Sequence, residues 1–336
     1  MEGNMSTATT EITTSTTAIT NGMNGTEDTS LFMCIYYMSM GAIALLCNLV
    51  SLHVFAGTKE LRKKFMYFIA LDLGELVNSI SFILTGSGRL NLLLHNKLLD
   101  TPMTAHQCFF ETFWVHTLIV GTELTTFMLV LIAFERICAV MSPSLYNRVF
   151  TASGKKNMMI GAFTMTLFSL ILATISAYNN TDTVLTAHCP IINSTALWYS
   201  TMHNVFLVVG HVVSLTSLII VQMCTQKFAR ESHRRSTEAS KISLLIAFTG
   251  SSTVLVMIPS AVLIGIRWNL WTLDDLPVSL SYSLTAMISI ATCIINFIMR
   301  EEFRRALRAR LESVGLSQEC THIQIRTRIE QRTALL

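Results

Sequence analysis

Residues 108–143 read CFFETFWVHTLIVGTELTTFMLVLIAFERICAVMSP, and their reading decides the fold. From 112 to 134 the only charged residue is Glu123, and the run then closes on the pair Glu135-Arg136. An apolar stretch of this length spans a hydrocarbon core of about 30 Å as a helix, for which about 20 residues suffice. Outward from 108–140, six further stretches have the same character: 31–56, 65–88, 158–178, 198–224, 242–266 and 279–299. The expected fold is an all-α membrane protein, a seven-transmembrane helix bundle in one domain over residues 31–299.

Charge gives that bundle an orientation. All but three of the 24 Lys and Arg residues lie at the foot of span three, in the loops after spans one, three and five, or after residue 299. The exceptions, Arg89, Lys97 and Arg267, lie at the opposite face. The positive-inside rule then puts the N-terminus outside and the C-terminus in the cytoplasm. A multi-pass protein of the plasma membrane is expected. Charged residues make up 13% of the chain, against about 25% in soluble domains. The net charge of +3 is spread along the inner loops, which suits lipid headgroups as partners and not nucleic acid. Met1 to Ser30 has no apolar signal-peptide run, so span one is expected to act as an uncleaved signal-anchor.

The first 30 residues hold 13 Ser or Thr and are expected to form a disordered, glycosylated tail outside the cell. Sequons begin at Asn4, Asn24, Asn179 and Asn193, all on the expected outer side. Cys34, Cys47, Cys138, Cys224 and Cys293 lie in or at the ends of spans and read as small packing residues. Cys108 and Cys189 remain as the pair facing the oxidising compartment, so a disulfide is expected between them. Cys320, in the inner tail, is either a palmitoylation site or a bare thiol.

Glu135-Arg136 is followed by five small or apolar residues, Ser142-Pro143 and a short basic loop. Taken alone, Arg136 is as well explained as an anchor that snorkels to the interface. The whole pattern resembles the acidic-Arg-aromatic motif of the rhodopsin-like G-protein-coupled receptors. Other landmarks resemble that family span by span. Asn48 stands where helix one carries its Asn. Glu75 stands where helix two carries its Asp, with Asp72 as the other candidate. Pro259 matches the helix-six proline, which removes a backbone hydrogen bond and makes a hinge. Thr292 to Asn296 occupies the place of the helix-seven Asn-Pro-x-x-Tyr. Phe303, Leu307 and Leu311 give residues 300–312 an amphipathic pattern that resembles the family's eighth helix on the membrane surface. Residues 313–336 are expected to be a disordered tail.

The departures are equally specific. Ile137 replaces the aromatic after Glu-Arg, and Met257 stands at the helix-six Trp position. Span four lacks Trp, span five lacks Pro, and span seven lacks both Pro and Tyr at its motif. The stretch from Phe134 to Tyr146 is most similar to the nematode serpentine chemoreceptors.

The resemblance implies an extracellular, small chemosensory ligand in the outer half of the bundle. It also implies a heterotrimeric G-protein at the inner face, with Glu135, Arg136, Glu238, Pro259 and Asn296 serving coupling and activation. A sodium ion would sit near Glu75, among Asn48, Asp72, Thr125 and Thr292. Pocket candidates are Leu118, Ile119, Thr122 and Glu123 on span three, His203 on span five and Met257 on span six. Glu123 is an acid at mid-membrane with two readings: it contacts a cationic or hydrogen-bonding ligand, or it is a structural residue bonded to His203 or His211. Those two His are eight residues apart, about 12 Å along a helix, and cannot share a metal ion. A peptide or neurotransmitter receptor of the same fold is the nearest alternative. A proton-coupled transporter built on Asp72, Glu75, Glu123 and the buried His is the more distant one. No His-Glu-x-x-His, paired-His or Gly-x-Ser-x-Gly pattern points to an enzyme.

Overall fold

The computed structural model describes residues 6–96, 102–184, 188–229, 234–273 and 275–313. Side chains are described outside residues 1–27, 95–101, 184–187, 228–241, 274–275, 311 and 313–336. Asn4, Cys320 and the side chains of Asn24, Glu238 and Leu311 therefore lie outside the described residues.

The chain forms α1 (Ser6–Ala56), α2 (Lys59–Lys64), α3 (Met66–Asn96), β1 (Met103–Thr104), α4 (Ala105–Glu111), α5 (Phe113–Met141), α6 (Pro143–Val149) and α7 (Ala152–Ala177). There follow β2 (Thr183–Val184), α8 (Ile191–Ser194), α9 (Leu197–Ala229), α10 (Arg234–Arg267), α11 (Asp275–Ser283), α12 (Met287–Met299) and α13 (Glu301–Ser313). Seven helical segments are long and apolar enough to cross a membrane, from Asp28–Ala56 to Leu276–Met299. The chain is a multi-pass membrane protein with the architecture of an all-α seven-helix bundle. β1 and β2 form one short antiparallel ladder, Met103 opposite Val184, over one end of it.

α5 is the central post, packed against α3, α7 and α9. Two apolar layers surround it. One contains Tyr37, Phe82, Trp114, Ile119 and Tyr199, beside the Cys108–Cys189 disulfide. The other contains Phe55, Phe65, Leu71, Met128, Phe248 and Phe303, next to the basic loops. These are called below the disulfide end and the basic end. Leu46, Ile171, Ile175, Ile220 and Ile298 are more than half exposed on the bundle's flanks, where lipid and not water is the natural contact.

Three boundaries differ from the hydropathy reading. The helix of the first span begins at Ser6, and only its Asp28–Ala56 portion has the composition of a span. Span three starts at Phe113, because Thr112 is extended (φ −109°, ψ 106°) and separates it from α4, which holds Cys108. Span seven is broken at Leu284–Ala286 without a proline. There the bonds tighten to the i→i+3 type, Ala286 N–H to Ser283 C=O at 3.0 Å and Met287 N–H to Leu284 C=O at 3.1 Å. By contrast, α10 stays helical through Pro259.

α13 follows span seven after Arg300. Phe303 is buried against Phe55, with ring centroids 5.5 Å apart, and Lys64 pairs with Glu302 at 2.5 Å. At Gly57 a Cβ would lie 2.2 Å from the Arg310 guanidinium, which donates to the Gly57 carbonyl at 2.7 Å.

α3 and α5 approach most closely at Gly121, where a Cβ would lie 2.7 Å from the Asn78 backbone nitrogen. Gly121→Ala therefore has to push the two helices apart. It is expected to cost about 1–3 kcal/mol, seen as a lower melting temperature in detergent. Gly161→Ala on α7, with nothing within 4 Å of the new methyl, is expected to be neutral or stabilising by up to about 1 kcal/mol. Equal effects at the two sites would contradict this packing.

Candidate functional site

The loop after β2 folds into the mouth of the bundle and is held there three ways. Cys189 is bonded to Cys108, and its φ of 44° puts a non-glycine residue in the left-handed region, at a cost of about 1–2 kcal/mol. Trp114 on α5 donates its indole N–H to the Cys189 carbonyl at 3.3 Å. Arg89 on α3 donates to the His188 carbonyl from Nε at 3.0 Å and from Nη2 at 2.6 Å. Gly88 makes room for the second of these, since a Cβ there would stand 2.3 Å from the Trp114 ring.

Beneath this roof lies a cavity of about 130 Å³ whose wall includes Tyr37, Phe82, Arg89, Leu118, Ile192 and Tyr282. The Arg89 guanidinium rests over the Tyr37 ring at 5.5 Å, and Tyr37 donates to the Ser279 carbonyl at 2.9 Å. Burial, and then the Arg89 charge, push His188 down to about 3, so its imidazole is neutral at physiological pH. The space is apolar with a few convergent polar groups, as ligand pockets are.

The pocket residues expected from the sequence divide. Leu118 lines this cavity. Thr122 and His203 instead line a smaller space deeper in the bundle, together with Pro259. Ile119 is fully buried in the apolar layer. Met257 does not belong to the pocket: it is 40% exposed on the outside of α10, whose inward face carries Val256, Pro259 and Ser260. A helix turns 100° per residue, so counting two positions back from the proline selects the wrong side. Glu123 is 2% exposed and its Oε1 gathers Ser169 Oγ at 2.8 Å, His203 Nδ1 at 2.8 Å and Tyr199 OH at 3.3 Å. It ties α5 to α7 and α9. His211 is not a partner; its Nδ1 lies 2.8 Å from the Leu207 carbonyl of its own helix. Sequence reading missed Arg89, Tyr37, His188 and Tyr282 as wall residues. The signal for Arg89 was present, since a cation inside an apolar helix is itself a site indicator.

Midway along the bundle, Asn48 donates to Ser79 Oγ at 2.9 Å and Ser289 Oγ at 3.0 Å, joining spans one, two and seven. Asp72 and Glu75 are buried close by, and their carboxyl oxygens make no protein hydrogen bond of normal geometry. Glu75, Asn78, Thr122 and Thr125 line a water-sized space of about 20 Å³. That oxygen donor set fits a small hard cation or a water. Thr292 bonds its own helix at the Ile288 carbonyl, and Asn296 is buried one turn further on. Among the described residues no cluster of His, Cys, Asp or Glu is arranged to hold a metal through three of those side chains.

At the basic end Glu135 is 7% exposed and pairs with Lys155 of α7, a partner the sequence did not reveal. Arg136 stands farther off, Nη2 to Glu135 Oε2 3.8 Å, with its Nε buried and unbonded. Lys155 also lies over the Tyr67 and Tyr146 rings, at 5.7 and 5.9 Å. Of the sequons, Asn179 is exposed in the turn after α7, whereas Asn193 is half-buried and lines the cavity.

No protein-family model matches this chain, and no curated protein matches it either. The functional reading therefore rests on the chain's own residues.

The Glu123 hub gives a graded test by thermal unfolding in detergent. His203→Phe removes one of the two 2.8 Å partners and is expected to cost about 2–3 kcal/mol. Tyr199→Phe removes the 3.3 Å contact to Glu123 and a 3.1 Å one to Ser169 Oγ but leaves both 2.8 Å partners of the carboxylate in place, and is expected to cost about 1 kcal/mol. The reverse order would contradict the hub.

Proposed function

We propose that this protein is a G-protein-coupled receptor for a small chemosensory ligand, set in the plasma membrane with its disulfide end outside. One observation carries the proposal. A cavity at the disulfide end, lined by Leu118, and the Glu135–Arg136 pair with its Lys155 partner at the basic end are two separate sites touched by the same central helix, α5. That is the arrangement a signal-transmitting bundle needs, because a ligand acts at a distance only by preferring one arrangement of the helices over another. The cavity's modest volume favours a small molecule over a peptide.

In this reading the ligand draws the walls formed by α10 and span seven toward α3 and α5. α10 bends at Pro259, which has no N–H to close the helical ladder, and the inner ends of α9 and α10 part. Arg136, held only loosely at 3.8 Å from Glu135, becomes available to a heterotrimeric G-protein. The basic loops supply the inward orientation and a positively charged docking face. A sodium ion beside Glu75, Asn78 and Thr125 would stabilise the resting arrangement. Asp72 and Glu75, two buried acids without partners, are the observation that favours a proton-coupled transporter instead.

Ligand-evoked nucleotide exchange on a G-protein decides between them. Arg136→Ala is expected to reduce it at least about tenfold with surface delivery intact, and Pro259→Ala to change the response more than the delivery. Proton or ion flux that is unaffected by Arg136→Ala and needs no G-protein would overturn the receptor reading.

A further inference from the structure

We propose that the cavity beneath the Cys189 loop takes a small monocarboxylic acid with an apolar body, its carboxylate gripped by Arg89 and the Tyr282 hydroxyl. The proposal rests on the reading of this cavity as the ligand site and names the chemistry of what enters it.

Arg89 is 8% exposed near the disulfide end of the second span, well beyond the buried Asp72 and Glu75 of the same helix, and among the described residues no carboxylate pairs with it. A buried guanidinium without a counter-charge is costly, so its retention needs a reason. Holding the loop is part of one: two of its five N–H donors go to the His188 carbonyl, and the guanidinium also interacts with Tyr37, which leaves further donors for a ligand. Arg89 forms part of the cavity wall, and so does Tyr282, whose hydroxyl makes no hydrogen bond to another described residue. Phe82, Leu118, Ile192 and Ile266 supply apolar wall for the body of the ligand, and Thr85, Asn193 and Ser279 supply neutral polar groups.

The charge balance selects a monoanion. Arg89 is the one permanently charged residue among the described wall residues, and His188 is neutral at pH 7. A phosphate ester or dicarboxylate would bring a second negative charge into a largely buried space with no second cation among the described wall residues to meet it. A carboxylate carries one charge on two coplanar oxygens, which the planar guanidinium fork matches in geometry. Size narrows the body of the molecule. A cavity of about 130 Å³ is of the order that accepts a benzene-sized guest, so a benzoate or a short-chain acid fits and a long fatty acid does not.

Direct binding to the purified full-length protein in nanodiscs tests this without any G-protein. The probes are benzoate, hexanoate and isovalerate, each against its own uncharged amide at pH 7.4, by saturation-transfer NMR and calorimetry. In the unmodified protein at least one acid is expected to bind about tenfold or more tighter than its amide. Arg89→Gln is expected to erase that preference, so that acid and amide bind alike, and Tyr282→Phe to reduce it a few-fold. Ile192→Trp, which fills the cavity and leaves Arg89 untouched, should abolish binding of the acid. Because Arg89 also holds the loop, the comparison of acid with amide in the unmodified protein stands as a test by itself. Acid and amide binding equally, no saturable binding of any acid at millimolar concentration, or displacement of the acid by palmitate in the bilayer would each overturn the proposal. Arg89-dependent acid binding without G-protein activation would leave this inference standing and remove the receptor reading. Activation by neutral molecules alone, undiminished in Arg89→Gln, would do the reverse.

Discussion

A polar group inside this bundle has to find its partner within the protein, because lipid offers none. That constraint shapes everything else. It makes the spanning backbone helical and draws Asn48 to Ser79 and Ser289 across three spans. It gathers Ser169, Tyr199 and His203 around one oxygen of Glu123. At the mouth it turns the carbonyls of His188 and Cys189 inward, onto Arg89 and Trp114. Where the constraint is met, the contacts are structural. Where it is left unmet, as at Asp72, Glu75 and Arg136 Nε, the protein has capacity for something it does not itself contain.

The division into met and unmet groups separates scaffold from site. Glu123, a conspicuous mid-membrane acid, leans to scaffold: its Oε1 is occupied by three neighbours and ties α5 to α7 and α9, although its buried Oε2 has no hydrogen-bond partner among the described residues. Arg89 is less conspicuous in the chain, yet it stands at a cavity with donors in hand. At the other end, Lys155 and not Arg136 takes the closest hold on Glu135. Arg136 is thereby kept near its carboxylate but held only at 3.8 Å.

Much of the architecture was legible because it depends on composition summed over about 20 residues: seven spans, the amphipathic α13 and the Cys108–Cys189 pair. Single-residue geometry was less legible. Met257 was assigned inward by its distance from Pro259, but one position on a helix rotates a side chain by 100°, and the inward residue is Val256. The break in span seven carries no proline, so nothing in its apolar run announced the tightened turn at Leu284–Ala286. The cavity roof depends on how a loop 81 residues from Cys108 is folded back, and hydropathy does not encode that. Arg89 was visible as a charge on the wrong side, but its role emerged only with the His188 carbonyl and the cavity beside it.

The central claim is that occupancy of the disulfide-end cavity changes the spacing of helices at the basic end. Double electron–electron resonance between nitroxides at Met141 on α5 and Ile246 on α10, in nanodiscs and with a mini-G-protein as the reference for the open arrangement, measures it most directly. The account predicts a bimodal distance distribution whose longer component grows when the cavity is filled by its ligand and shrinks in Pro259→Ala. A single distance, unchanged by either ligand or mini-G-protein, would contradict it.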